Sequence, residues 1–137
     1  MKLLSRAILI AGGAILASTF VAPSARAAHD PCTVLTAESF SKIMGYAATI
    51  DKTGSNQMHC FYNGPAKSGG QFSILTEAAE GPQADAFLNR RGSTPPAGSG
   101  LIGGTYKEGK IVFSVSIRST DQDKLQALVA EVRRNLK

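Results

Sequence analysis

The sequence predicts an α+β fold, in which helices pack on one face of an antiparallel sheet of about five strands, in the order α-β-β-β-α-β-β-α. Two segments carry this prediction. Residues 110–118 alternate apolar and polar side chains, as a strand buried on one face does. Residues 121–136 repeat apolar side chains at helical spacing, which gives a helix one dry stripe. A chain of 137 residues suffices for one such domain but is too short for two.

The first helix is predicted to begin after Thr36, which acts as its N-cap, and to continue to about Met44. Glu38 lies in its first turn, and Gly45 follows as the residue that ends it. Residues 28–33, before this helix, are expected to form an irregular leader.

Three short strands are predicted to follow, at residues 46–50, 58–62 and 71–76. Residues 51–57 are polar and form a turn between the first two strands, and residues 63–70 form a loop before the third. The alternation in the middle strand assigns side chains to two faces: Met58, Cys60 and Tyr62 to one, His59 and Phe61 to the other.

A helix and a hairpin make up the next part of the chain. The helix is predicted at residues 81–92, with Gly-Pro at its start and Gly at its end. Residues 92–100 are the longest flexible stretch. Residues 101–106 and 110–118 then form the hairpin, around the turn at 107–109.

The last helix is predicted at about residues 121–136. Ser119 and Gln122 stand at the spacing of a capping box, and acidic residues occupy the first turn. Its apolar stripe consists of Leu125, Leu128, Val129, Val132 and Leu136.

The N-terminus predicts export. Lys2 and Arg6 precede an uncharged apolar run at residues 7–17, and Ala25-Arg26-Ala27 fits the small-x-small rule for cleavage. We therefore predict a signal peptide at 1–27 and a single mature domain at 28–137. A retained membrane anchor is the alternative, but the apolar run is shorter than the roughly 20 residues that a span needs.

The charge balance changes once the leader is removed. Three of the 15 basic residues leave with it, so 12 remain against 10 acidic residues and the net charge falls from +5 to +2. No basic stripe is left for nucleic acid. We expect a periplasmic or secreted protein with no membrane span after cleavage.

Both cysteines, Cys32 and Cys60, lie in the mature part of the chain. Two thiols in an oxidising compartment normally pair, and we predict a disulfide between them. Closing a loop of about 28 residues is worth about 3–4 kcal/mol on the chain-entropy model. A redox pair is the alternative, but the spacing is far from Cys-x-x-Cys.

Three apparent motifs lack the context that their chemistry requires. Residues 98–103 read G-x-G-x-x-G, but a strand follows where a dinucleotide site needs a helix. S-x-x-K at 39–42 and K-T-G at 52–54 imitate penicillin-interacting enzymes, whose folds are much larger. A nucleophilic Cys-His pair at His59 is not favoured, because the neighbouring Cys60 points to the opposite face of the strand. His29 could at most bind copper weakly together with the new terminal amine. We predict no catalytic residue, metal ligand or cofactor.

Two glycine-rich loops are the candidate contact sites, because loops carry function more often than cores do. The candidate residues are Lys67, Ser68, Gly69 and Gly70 in the first loop, and Gly98, Ser99 and Gly100 in the second. Ser68-Gly69 also invites comparison with exported lysozyme inhibitors that insert a Ser-Gly loop into their target.

The segment Pro31-Cys32-Thr33-Val34-Leu35-Thr36-Ala37-Glu38, followed by Gly45 and then by Cys60-Phe61-Tyr62, resembles a group of small bacterial envelope proteins. Many members of that group are actinobacterial lipoproteins of unknown function. The resemblance covers about the first third of the mature chain and implies the same disulfide and an α+β domain. Val34 stands where leucine is usual, and the cysteine for lipid attachment is missing.

These observations favour a non-enzymatic exported domain that binds a protein or envelope component, as a monomer or weak oligomer. The open sheet face or the two loops would make the contact. A small-ligand carrier with a pocket between sheet and helices is the alternative, and a lysozyme-inhibitor-like protein is the third candidate. An enzyme would need a cleft that gathers His59 with distant carboxylates.

Overall fold

The strands are β1 (Thr49–Ile50), β2 (His59–Asn63), β3 (Gly69–Thr76), β4 (Ile102–Glu108) and β5 (Ile111–Ile117). They form one antiparallel sheet in the order β1-β2-β3-β5-β4. The helices are α1 (Pro31–Val34), α2 (Ala37–Met44) and α3 (Gln122–Asn135), in a computed structural model that describes residues 29–77, 86 and 95–137. This arrangement confirms the predicted α+β fold.

Two predicted segments fall outside the described residues. They are the signal peptide at 1–27 and, apart from residue 86, the helix at 81–92. The limits of the mature domain, 28–137, therefore stay a prediction. In the part of the chain that is described, no helix has the length and apolar character needed to cross a membrane.

The segment before the first predicted helix is itself helical, which corrects the irregular leader expected at residues 28–33. Asp30 caps α1 by accepting the N–H of Cys32 at 2.9 Å, and Pro31 takes the first helical position. A helix of four residues is too short to show helical periodicity, which is why the sequence pattern missed it. Cys32 and Cys60 form the predicted disulfide, with their Cα atoms 5.2 Å apart.

α2 begins and ends as predicted. Thr36 Oγ1 accepts the N–H of Ser39 at 3.2 Å, and Gly45 ends the helix in the left-handed conformation, with φ of +79°. Phe40 and Met44 are buried on the side of α2 that faces the sheet.

The first strand is shorter than the predicted 46–50. Ser41 Oγ accepts the N–H of Ala48 at 2.8 Å, so this backbone donor is tied to α2 instead of a neighbouring strand. Pairing with β2 begins only at Thr49. The other four strands match their predicted limits within about two residues.

The cap of α3 differs from the prediction. Asp121 is the N-cap, and its carboxylate accepts the N–H groups of Asp123 and Lys124 at 3.0 and 3.3 Å. Ser119 Oγ instead accepts the N–H of the N-cap residue Asp121, two residues further along the chain. The expected capping box with Gln122 is therefore wrong. The predicted apolar stripe is buried, as Leu125, Leu128, Val129, Val132 and Leu136.

The described helices cover one face of the sheet. Phe72 on β3 and Phe113 on β5 are fully buried there and pack edge to face, with ring centroids 6.0 Å apart. Tyr62 on β2 stacks on Phe40 with centroids 4.3 Å apart, and its hydroxyl donates to the Leu35 carbonyl. Burial raises the pKa of the Tyr62 hydroxyl above its usual value.

Candidate functional site

Both glycine-rich loops lie at one end of the sheet. The first loop, residues 64–68, joins β2 to β3, and the second loop, residues 95–101, leads into β4. Ile117, the last residue of β5, pairs with Gly70 shortly after the first loop and with Ile102 directly after the second. We call this end of the sheet the loop end.

The candidate contact residues divide between two grooves at the loop end. Lys67, Ser68, Gly69 and Gly70 line a groove of about 270 Å³, which we call the loop-end groove. Gly98 and Gly100 line a second groove of about 520 Å³, and Leu101 borders both. One prediction needs correction: Gly69 and Gly70 are the first residues of β3 and not part of the loop.

The loop-end groove opens on the polar face of the sheet, which is the face opposite α1, α2 and α3. The register places Phe61, Gln71 and Ser116 side by side across β2, β3 and β5, and all three line the groove. Lys67 from the first loop and Arg118 from the end of β5 line it as well. Among the described residues that line the groove, only Lys67 and Arg118 are charged, and both are positive.

The first loop has a strained backbone. Ala66 and Lys67 adopt φ of +51° and +59°, in the left-handed region that costs a non-glycine residue roughly 1–2 kcal/mol. Hydrogen bonds within the loop hold this shape: the N–H of Ser68 donates to the Pro65 carbonyl at 2.9 Å, and that of Gly64 to the Ser68 carbonyl at 3.0 Å. The loop is thus a closed unit that holds the backbone of its lysine in place.

Close packing against neighbouring elements supports the first loop. A side chain at Gly64 would collide with the ring of Tyr46, and one at Gly69 would collide with the Tyr62 carbonyl oxygen. The Gly69 carbonyl accepts the N–H of Arg118 at 2.9 Å, which joins the start of β3 to the end of β5. Glycine is required at both positions because the chain passes close to other atoms.

The second loop is open. Gly98 and Gly100 have φ of +80° and +71°, and a side chain built on either would meet no atom of the described residues within 4 Å. Its hydrogen bonds are local and long: the N–H of Ser99 donates to the Pro96 carbonyl at 3.2 Å, and that of Leu101 to Ser99 Oγ at 3.3 Å. Glycine here permits positive φ but does not make room for a neighbour.

Next to the loop-end groove, the polar face carries a hydrogen-bonded cluster. His59 Nδ1 lies 2.7 Å from Ser73 Oγ, and Gln71 Nε2 donates to the same oxygen at 2.8 Å. A histidine beside a serine can activate a nucleophile, but Ser73 is only 1% exposed, so its hydroxyl is closed to a substrate. The cluster links β2 to β3 and holds the Gln71 side chain in place.

Sequence reasoning missed this cluster. His59 and Ser73 are 14 residues apart, and only the strand register shows that they are directly opposed. One signal was present, since the alternation in both strands assigns these side chains to the less apolar face. An enzyme would need carboxylates near His59. The described contacts of His59 Nδ1 are instead with Ser73 and Gln71.

A third groove, of about 600 Å³, lies beside the disulfide and is lined by His29, Asp30, Lys52 and Asn56 among others. His29 Nδ1 lies 3.2 Å from a carboxylate oxygen of Glu77. Across residues 29–77 and 95–137, no three His, Cys, Asp or Glu side chains are grouped so that they could hold a metal ion.

The apparent motifs lie on separate elements. Residues 98–103 lead into β4, residues 39–42 lie on α2, and residues 52–54 form a turn after β1. Asp51 accounts for that turn, because its carboxylate accepts the N–H groups of residues 53 and 54 at 2.9 and 3.2 Å.

Comparison with protein-family models, with curated proteins and with solved structures finds no match for this chain. The resemblance to small bacterial envelope proteins therefore stays a prediction. The geometry of the loop end is the basis for a functional proposal.

Proposed function

We propose that this chain is an exported, non-enzymatic domain that binds a protein or envelope component through the loop end of its sheet. The observation that carries the proposal is the strained first loop, with Ala66 and Lys67 both held at positive φ. Strained residues that the surrounding structure holds in place are concentrated at functional sites. A loop that is already fixed loses less conformational entropy when it binds.

The packing of the sheet favours binding at the surface over the carrier alternative. A carrier of the expected kind would hold its ligand between the helices and the sheet. Phe72, Phe113 and Leu128 are completely buried between the sheet and the described helices, where they belong to one packed core. The two grooves at the loop end open at the surface, where part of a larger partner can enter.

Export is supported by the disulfide, because such bonds persist in oxidising compartments and are rare in the cytosol. The test is the intact mass of the protein after expression with its own leader. We expect a chain that starts at Ala28 and has lost two hydrogens at Cys32 and Cys60. A retained leader or two free thiols would contradict this part of the proposal.

Site-directed photocrosslinking tests the contact surface. A photoreactive amino acid replaces Ser68 in the first loop, Ser99 in the second, or Lys42 on the exposed side of α2, in cells that make the protein. We expect an adduct of one defined mass from Ser68 and Ser99, because Ser68 lines the loop-end groove and Ser99 lies between two glycines that line the second groove.

Lys42 is the matched control, since α2 belongs to the opposite face of the sheet. The same adduct at all three positions would indicate non-specific capture and would reject the loop end as the binding surface. Adducts from Lys42 alone would move the surface to the helices.

A further inference from the structure

We propose that the partner presents an acidic peptide segment, which lies across the strand ends in the loop-end groove and pairs its carboxylates with Lys67 and Arg118. This inference rests on the proposed binding function and names the chemistry of the partner. It begins from the charges of the groove.

Within the described part of the chain, the two positive charges of the groove have no counter-charge. Neither Lys67 nor Arg118 forms an ion pair with any residue in the described part of the chain. Several acidic side chains form hydrogen bonds in other parts of the fold: Asp30 and Asp121 cap helices, and Asp51 closes a turn. Two unpaired positive charges in one concave site attract a negatively charged ligand.

The backbone positions that carry both charges are held before any ligand arrives. Lys67 belongs to the closed first loop, and the N–H of Arg118 donates to the Gly69 carbonyl at the start of β3. Arginine can bind a carboxylate through two parallel hydrogen bonds, whereas lysine acts as a point charge. The groove therefore offers one directional and one non-directional site for acidic groups.

Neutral polar groups line the rest of the groove. Asn63, Gln71 and Ser116 can exchange hydrogen bonds with the amides of a peptide, and the Phe61 ring provides an apolar contact. Gln71 is already held by its bond to Ser73. Sites for phosphate polymers depend on dense clusters of Lys and Arg, so a groove with only two charged side chains in its described lining, beside neutral amide and hydroxyl groups, favours a peptide.

The size of the groove agrees with a segment of a larger partner. A volume of about 270 Å³ is below the range of about 300–1,000 Å³ that is usual for pockets enclosing a whole small ligand. It can accept a few side chains of an extended chain, whose remaining residues would continue over the loop end.

Fluorescence anisotropy with the oxidised protein tests the inference. The probe is a fluorescein-labelled peptide of Ala-Glu repeats with blocked termini, and the reference peptide has Gln in place of Glu. We expect the Glu peptide to bind at least about tenfold more tightly at low salt, and to lose most of this advantage at high salt.

Three variants locate the binding. Lys67→Gln and Arg118→Gln should each weaken binding of the Glu peptide by about three- to tenfold, whereas Lys42→Gln on α2 should change it by less than about twofold. Thermal unfolding checks that each variant is folded, which these exposed positions allow.

Equal binding of the Glu and Gln peptides, or no effect of either groove variant, would overturn the inference. Tighter binding of inorganic polyphosphate than of the Glu peptide would also overturn it, in favour of a phosphate polymer. The proposed function survives these results if photocrosslinking at Ser68 still gives its defined adduct, so the two failures are distinguishable.

Discussion

The two glycine-rich loops look alike in the sequence but use glycine for different physical reasons. In the first loop and the adjoining start of β3, Gly64 and Gly69 lie against other atoms, and any side chain would collide. In the second loop, Gly98 and Gly100 face open space. Glycine content alone thus predicts a loop, but it does not distinguish a tightly fitted loop from an open one.

The difference extends to the residues that are not glycine. The first loop holds Ala66 and Lys67 in the left-handed region, whereas Ala97 in the second loop has no positive φ. A chain adopts such strain only when its surroundings outweigh the cost. The first loop is therefore preorganised by its neighbours, and the second follows the local preferences of its own residues.

The largest expected change in stability comes from adding a side chain where the start of β3, next to the first loop, passes close to β2. Gly69→Ala places a methyl group against the Tyr62 carbonyl oxygen at a φ of +140°, and backbone atoms must move to accept it. We expect a loss of at least about 4 kcal/mol in the free energy of unfolding, measured by urea denaturation.

Gly98→Ala is the matched control for that variant. Its φ of +80° is also unfavourable for alanine, but no atom lies within 4 Å. A loss of about 1 kcal/mol is expected, as for an alanine in the left-handed region. Similar losses from both substitutions would show that the two loops do not differ in packing.

Removal of the disulfide should affect the first loop more than the second. Cys60 lies on β2, the strand that leads directly into the first loop, whereas no described disulfide joins the strands beside the second loop. We expect Cys32→Ala with Cys60→Ala to cost about 3–4 kcal/mol in the free energy of unfolding. Hydrogen exchange should rise more at residues 64–70 than at 96–101.

The reduced wild-type protein is the control, because it lacks the bond but keeps both sulfur atoms. An equal rise in exchange at the two loops would mean that the disulfide stabilises the whole domain without supporting the first loop in particular.

The elements that could be predicted are those with a local signal. α2 has a capping threonine and a terminal glycine, and β5 alternates apolar and polar side chains from Phe113 to Ile117, so each could be located from neighbouring residues alone. α1 has no periodicity because it is only four residues long. The contact between His59 and Ser73 depends on strand register, which no local pattern specifies.

The candidate site was predictable only in part, for the same reason. The loops could be found from their glycines, but their meeting at one end of the sheet depends on the pairing of β5 with both β3 and β4. Arg118 was not singled out, because one basic residue after a strand is a common surface feature. It becomes a candidate when the register brings it beside Gly69.

A smaller effect, with opposite sign in the two loops, should follow from glycine itself. Ala66→Gly removes a side chain from the left-handed region and should stabilise the protein by about 0.5–1 kcal/mol. Ala97→Gly adds freedom to the unfolded chain without relieving positive φ, and should destabilise it by a similar amount. Urea denaturation of both variants measures the difference, and the same sign in both would refute the assignment of strain.

The smallest effect concerns the support beneath the first loop. The Tyr46 ring packs against Gly64, but its buried hydroxyl has no hydrogen-bond partner among the described residues. Tyr46→Phe keeps the ring and removes an unsatisfied polar group, so we expect a gain of about 0.5 kcal/mol in thermal denaturation and unchanged exchange at the loop.

Tyr62→Phe is the informative comparison, because it also keeps a ring but removes a hydroxyl that donates to the Leu35 carbonyl. That change leaves a buried carbonyl without its donor and should cost about 1–2 kcal/mol. If Tyr46→Phe destabilised the protein as much as Tyr62→Phe does, the Tyr46 hydroxyl would have to hold the loop through a hydrogen bond, and ring packing would not be sufficient. The expected opposite signs would instead show that the Tyr46 ring supports the first loop by packing, without a hydrogen bond from its hydroxyl.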